Sequence, residues 1–521
     1  MSKLVKQTEL ELKEKIMDAL GRAVADGVLD EAPLPAFIIE VPKERQNGDY
    51  STNVAMAGAK AFHKAPRVIA QAIVDRLDLA DTVFDRAEIA GPGFINFFLG
   101  NRFYAAVLED LMAQGENYGR SDYGKGKRVL VEFVSANPTG PMHIGNARGG
   151  AIGDCLAAVL DWAGYKGMDI VEHAENFIKE YGDRYVSAPA EERRKALVDY
   201  ALPKNIAGLE RDLGAYRIQY DRWFKESSLH GDGSVQRVID ALKEKGVTYE
   251  QDGALWFKAS AFGNDKDIVL VRANGIPTYI VPDIAYHYNK LVTRGYDKAV
   301  DVLGADHHGY VPRMKAALTA LGLDANRLDC VIMQMVRLVR DGETIKLSKR
   351  SGKAITLNTL LEEVPIDAAR FFFNLREPNS HFDFDLELAA STSNENPVYY
   401  VQYAHARICS ILRKAAEEGV TLRTPTTAEL EQLTAPEERE LIRHLAALTD
   451  DVVTAAKTYD PAKITHYVID LATLFHKFYN AQRVMVEDEG LMQARLYLCT
   501  AVKNTIRNVL TMLKISVPER M

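Results

Sequence analysis

The chain has 521 residues, of which 47% are hydrophobic, 26% charged and 9% aromatic, a composition that excludes disordered, collagenous and low-complexity proteins. Lysine and arginine number 64 against 72 aspartate and glutamate, a formal charge of −8; taken alone, that balance argues against a nucleic-acid partner, which usually leaves a basic footprint. Cys155, Cys330, Cys409 and Cys499 show no CxxC spacing, which argues against a thiolate zinc site and against a disulfide framework.

In chain order, the first twenty residues, MSKLVKQTELELKEKIMDAL, read as an amphipathic helix. Their acidic residues and missing apolar core argue against a signal or transit peptide. No apolar run reaches the ~18 residues of a membrane span, so a cytoplasmic chain with no membrane partner is expected. A strand over 37–41, a turn at Gly48-Asp49 and a helical run over 52–60 follow. Pro66 at a helix start and the spacing of Val68, Ile69, Ala72, Ile73 and Leu77 predict another helix. Residues 88–90, 91–93 and 94–98 read as strand, turn and strand, completing an α+β domain over 1–115 that ends in a glycine-rich linker, 118–127.

Beyond the linker, strand and helix patterns alternate. Strands are expected at 128–135, 168–171 and 299–304, helices at 147–163 and 310–321, and a helical, charge-rich insertion at about 190–265. Further β structure is expected around 267–281 and 336–339, with a helix from Asp283. This alternation predicts an α/β fold over 116–384, a Rossmann-like doubly wound parallel sheet. From 385 to 521 the strand signal disappears, and long periodic segments such as 398–416 and 464–484 predict an all-α helical bundle.

Residues 131–146, VEFVSANPTGPMHIGN, join a strand to a helix through a Pro/Gly-rich turn. A helix N-terminus carries N–H groups and a positive dipole end that suit a triphosphate. His143 and Asn146 lie where they can donate to phosphate oxygens, and Gly145 would let a nucleotide approach the backbone. Alone, the segment reads equally well as a structural strand–loop–helix. Residues 346–353, KLSKRSGK, gather four cations around small residues. They read either as a loop that neutralises charge on a phosphate in transit or as a solvated basic turn.

Taken as a pair, PMHIGN and KLSKR resemble the HIGH and KMSKS motifs of class I aminoacyl-tRNA synthetases. The surrounding segments resemble the bacterial arginyl-tRNA synthetases: VEFVSANPTGPMHIGNARGGAIGD, DRWFKESSLH, YIVPDIAYHYNK, GADHHGYVPRMKAAL, KLSKRSGKAITL, DAARFFFNLR, AGPGFINFFL, YDPAKITHYVIDLATLFHKFYNAQRV and SVPERM. The match spans essentially the whole chain. It departs at the fourth HIGH position, Asn146, and at Leu347 and Arg350 of the loop, while both motif lysines are kept.

The resemblance implies an arginine–tRNA ligase with three domains, 1–115 on the tRNA elbow, 116–384 catalytic and 385–521 on the anticodon. Its substrates would be L-arginine, ATP and tRNA(Arg), with Mg²⁺ on ATP and pyrophosphate and no zinc, and a monomer is expected. By motif position, Pro138, His143, Gly145, Asn146, Lys346 and Lys349 would hold ATP, with Ser348 shaping the loop. Glu132 and Asn137 would address the α-amino and carboxylate ends of arginine, and Tyr279 and Asp283 its guanidinium, with His307 a further candidate. Tyr399, Tyr403, Arg407, Tyr479 and Arg483 would meet tRNA. Helical spacing also suits aromatics such as Tyr467, Phe475 and Phe478 to a core. Two rivals have less support: a cysteinyl enzyme lacks its zinc-spaced cysteines here, and a silent tRNA-binding paralogue would have no use for His143, Lys346 and Lys349.

Overall fold

The computed structural model describes residues 3–33, 36–134, 142–166, 206–345 and 356–521. The strand expected at 168–171, the first part of the insertion, and Asn137, Pro138, Lys346, Ser348 and Lys349 lie outside the described residues.

The N-terminal unit runs α1 (Lys3–Ala25), β1 (Ile39–Glu40), β2 (Tyr50–Thr52), α2 (Val54–Gly58), α3 (Pro66–Val74), β3 (Phe84–Ala90), β4 (Phe94–Leu99) and α4 (Asn101–Gln114). Its antiparallel sheet has the order β1-β2-β4-β3. The expected strand–turn–strand is the β3–β4 hairpin. Gly93 turns it at φ 142°, where a Cβ would stand 2.7 Å from Pro66 at the start of α3. The helical run expected from 52 is corrected at its start: Thr52 closes β2, opposite Ile95 of β4, because all three β2 residues are buried on that sheet.

The central unit is built on β5 (Val129–Glu132), β9 (Lys298–Gly304) and β10 (Leu328–Met333), paired parallel in the order β10-β9-β5. α5 (Ile144–Trp162) covers one face with the side of the sheet that carries Val129, Val131, Val300, Val302 and Val331. α8 (Ile280–Tyr288) and α9 (Tyr310–Ala320) pack with the other side, which carries Ala299 and Leu328. Alternate residues therefore feed two separate cores, as a doubly wound sheet requires. α5 seats closely because Gly153 faces the Phe133 ring, where any Cβ would overlap it.

Two short helices, α6 (Ser227–Gly231) and α7 (Ser234–Glu244), stand in the described part of the insertion. Its expected helical character does not extend to 265. β6 (Thr248–Gln251), β7 (Ala254–Phe257) and β8 (Ile268–Val271) form an antiparallel sheet there. Tyr249 stacks on Trp256 across β6 and β7, at 6.2 Å and 15°, a cross-strand pair that the surrounding charges hid. β11 (Val336–Arg340) pairs parallel with β13 (Phe382–Asp385) and antiparallel with β12 (Glu343–Thr344). α10 (Leu357–Glu363), α11 (Ile366–Phe373) and α12 (Leu386–Ala390) complete this region.

The remaining chain is helical: α13 (Pro397–Glu417), α14 (Thr427–Leu430), α15 (Pro436–Thr458), α16 (Ala462–Ala481) and α17 (Glu489–Met512). This bundle docks on both other units. Tyr118 donates to the Leu445 carbonyl at 2.9 Å, Arg443 pairs with Asp49 at 2.9 Å, and Asn508 donates to Gly115 at 2.9 Å. Fully buried Arg370 of α11 bonds Asp154 of α5, the Tyr216 carbonyl and the Leu513 carbonyl beyond α17. Lys514 adds a 2.6 Å ion pair to Asp154.

Candidate active site

His143 is the N-cap of α5. Its Nδ1 accepts the Gly145 N–H at 3.1 Å, which leaves the ring proton on Nε2, while its own N–H donates to Asn146 Oδ1 at 3.1 Å. This reciprocal capping box corrects the expectation of free N–H groups at these two positions. The Gly145 and Asn146 N–H groups are consumed within the first turn, Asn146 N donating to the His143 carbonyl at 2.9 Å. An anion would therefore meet side chains and the helix dipole rather than those two N–H groups. A Cβ on Gly145 would stand 2.9 Å from His143 Cε1, so glycine here makes room for the histidine ring.

The chain that follows the second motif reaches this point. Thr356, the first described residue after 346–355, forms an antiparallel bridge with His143, and Leu357 N donates to the Met142 carbonyl at 2.9 Å. Behind them, fully buried Arg148 clasps the Gln334 carbonyl at 2.7 Å and the Glu377 carbonyl at 3.2 Å. Burial lowers its guanidinium to about 10.

Of the described arginine candidates, Glu132 and His307 mark the carboxyl ends of β5 and β9, where ligand crevices open in such sheets. Glu132 closes β5, and Asp301 lies directly opposite it in β9. Tyr279 immediately precedes α8 and Asp283 lies one turn on, so both share a helix face. Tyr279 is 65% exposed, and its hydroxyl accepts from Arg313 at 3.2 Å. Burial raises the Asp283 carboxyl to about 6; His287 and Lys290 oppose that rise, and Glu226 and Glu132 add to it. His307, in the turn after β9, is exposed and bonds its neighbour Asp306 at 3.1 Å; its ring meets Tyr310 at 6.2 Å.

Sequence reasoning missed what lies beneath them. Lys290 is fully buried, with Nζ 2.5 Å from Glu132 Oε2 and 2.8 Å from Asp301 Oδ1. His287 places Nε2 2.7 Å from Asp301 Oδ2 and Nδ1 2.8 Å from the Asp283 carbonyl. The signal was present: 283, 287 and 290 recur at helical spacing.

On the helical bundle, a cavity of about 520 Å³ is lined by Asn394, Tyr399, Tyr400, Tyr403, Arg407 and His476, among others. The Tyr399 and Tyr403 rings are near parallel, 6.3 Å apart at 7°. The Arg407 guanidinium lies 4.7 Å from the Tyr403 ring and 5.2 Å from that of Tyr479, and donates to the Tyr403 hydroxyl at 2.8 Å. Burial, reinforced by Arg407, lowers His476 to about 4. Four of the five tRNA candidates thus gather here. Arg483 does not: it is exposed, and its carbonyl accepts from Arg495 at 2.6 Å. Tyr467, Phe475 and Phe478 are core.

Three family models match the chain: arginyl tRNA synthetase N terminal domain over residues 10–99, tRNA synthetases class I (R), catalytic domain over 169–407, and DALR anticodon binding domain over 401–521. The chain is 49% identical to an arginine–tRNA ligase of Caldanaerobacter subterraneus subsp. tengcongensis and 47% identical to one of Acetivibrio thermocellus, over 100% of each chain. The first alignment runs to 562 positions against 521 residues here, so at least 41 positions of that relative have no counterpart. In fold the chain resembles the Thermus thermophilus arginyl-tRNA synthetase, with TM-score 0.71, 24% identity, and coverage of 96% of this chain and 99% of that one.

Proposed function

The chain belongs to the arginyl-tRNA synthetase family and is a class I arginine–tRNA ligase; from that premise we propose how its own side chains divide the work. The enzyme activates L-arginine with ATP to arginyl-adenylate and transfers the arginyl group to the 3′-terminal adenosine of tRNA(Arg). In the first step a carboxylate oxygen of arginine attacks the α-phosphorus in line and pyrophosphate leaves. In the second, the 2′-hydroxyl of the terminal adenosine attacks the arginyl carbonyl and AMP leaves. No protein nucleophile is needed, so positioning and electrostatics carry the rate.

His143, through Nε2–H, and the Asn146 amide hold phosphate oxygens at the mouth of α5, beside Pro138 and Gly145. Lys346 and Lys349 stabilise charge on the departing pyrophosphate, with Ser348 shaping their loop. The observation that supports this reading is the bridge between Thr356 and His143, which brings the chain that follows the basic segment to the capped helix. Mg²⁺ enters on the phosphates of the ATP substrate. Among the described residues no group of His, Cys, Asp or Glu is arranged to cage a metal, and an ion held by phosphates and water suits Mg²⁺.

Asp283 and Tyr279 take the guanidinium, with His307 at the rim, while Glu132 and Asn137 take the α-ammonium and carboxylate. A site that pairs the donors of a guanidinium rejects lysine, because its buried acceptors would be left unmet. The 1–115 domain approaches the tRNA elbow, and Tyr399, Tyr403, Arg407 and Tyr479 form the surface for splayed anticodon-loop bases, with Arg483 on a neighbouring phosphate. We further infer a cytoplasmic monomer. No described helix is long and apolar enough to cross a membrane, and light scattering decides the monomer.

The deciding experiment is pyrophosphate exchange and aminoacylation with His143→Ala and Lys349→Ala. Both variants should lose at least a hundredfold in activation, a share in line with single electrostatic groups at transferring phosphates, while still binding tRNA. A Lys349→Ala enzyme that charges tRNA at the parent rate removes the loop from the mechanism.

A further inference from the structure

Glu132 and Asp301 sit side by side on adjacent parallel strands and point to the same face of the sheet. Two neighbouring carboxylates repel one another, so holding both in place takes a cation between them. Lys290 supplies it, with its ammonium 2.5 Å from Glu132 Oε2 and 2.8 Å from Asp301 Oδ1. It reaches them from a wider, π-type turn over Asn289–Thr293 that continues α8. His287 braces the far side of Asp301 at 2.7 Å. Both of its ring nitrogens meet acceptors, the Asp283 carbonyl lying 2.8 Å from Nδ1. Burial is graded across the cluster: the side chains of Lys290, His287 and Asp301 are 0%, 3% and 4% exposed, whereas Glu132 is 13% exposed. Glu132 is the most exposed member, and Lys290 engages its Oε2.

We propose that Lys290, braced by Asp301 and His287, is a positioning residue for arginine: it fixes the Glu132 carboxylate that receives the substrate's α-ammonium. The inference rests on reading Glu132 as an arginine ligand. Lys290 touches no substrate itself, and its cation is spent on two carboxylates. Asp301 is held well below the usual carboxylate range, because Lys290 and His287 together outweigh its burial.

The test compares Lys290→Met, Glu132→Gln and the double variant in aminoacylation of tRNA(Arg), measuring KM for arginine and for ATP and the kcat of each. Lys290→Met should raise the arginine KM at least tenfold and leave the ATP KM within twofold. In the Glu132→Gln background the same change should cost under threefold, since its target is gone. Lys290→Met combined with Asp301→Asn removes one charge of each sign. That pair should fold, as followed by thermal melting, and keep the selective arginine defect. Equal rises in both KM values, or full additivity with Glu132→Gln, would overturn the positioning role and leave Lys290 a fold-stabilising ion. If Glu132→Gln alone leaves the arginine KM unchanged, the reading of Glu132 fails and the proposal falls with it.

Discussion

Asp283 shows how one buried carboxyl ties affinity to pH. Its titration near 6 reflects burial first, with Glu226 and Glu132 adding to it against the cations of its own helix. On the proposed reading of Asp283 as a guanidinium ligand, arginine binds the ionised form, so below pH 6 it must displace a proton. The sign is then fixed: the arginine KM is flat above about pH 7 and climbs roughly tenfold for each unit below 6. The ATP KM should not follow it. Asp283→Asn abolishes that slope and, by removing one partner of a buried charge pair, costs about 2–5 kcal/mol of arginine binding. A variant whose arginine KM still climbs in acid would assign the titration to another group. Glu226 was no candidate from sequence, although DRWFKESSLH carries it, because nothing in that spacing says it folds towards α8.

Among the elements, α5 shows what the sequence disclosed and what it withheld. Its strand–turn–helix setting, its apolar face and the glycine at 145 were legible, because periodicity and turn chemistry are local properties. The purpose of Gly145 was not, since the atom it avoids belongs to the His143 ring. Nor was the Asp154–Arg370–Lys514 network, whose two cations lie 216 and 360 residues along the chain from Asp154. The same holds for β6 and β7, where tertiary pairing of Tyr249 with Trp256 overrode a charge-rich stretch that reads as helix. Burial decides the weight of these contacts. Asp154 is 1% exposed and carries two cations, whereas Asp161 of the same helix pairs in solvent with Arg120 of the linker, the two side chains 59% and 41% exposed. Asp154→Ala strands Arg370 and should cost about 3–5 kcal/mol, several degrees in thermal melting. Asp161→Ala should cost under about 1 kcal/mol. Equal melting shifts for the two variants would contradict this ranking.

Over the whole molecule, the charge of −8 pointed away from nucleic acid, yet the chain carries an anticodon-binding domain. Net charge sums an entire surface, whereas a tRNA meets only a local track. On the helical bundle the proposed track is small. Burial and Arg407 hold His476 near 4, so among the described lining residues the cation at neutral pH is the Arg407 guanidinium. It lies against Tyr403 and Tyr479, flanked by the parallel Tyr399–Tyr403 rings, an arrangement suited to stacked bases with one phosphate nearby. Charge and stacking separate experimentally, because only the former releases counterions. Arg407→Ala should weaken tRNA(Arg) binding and make the plot of log affinity against log salt shallower by about one. Tyr403→Ala should cost about 1–3 kcal/mol per lost stack with the salt slope nearly unchanged. Binding titrations across salt concentrations read both, and two variants with parent-like affinity would move the anticodon contact to another face of the bundle.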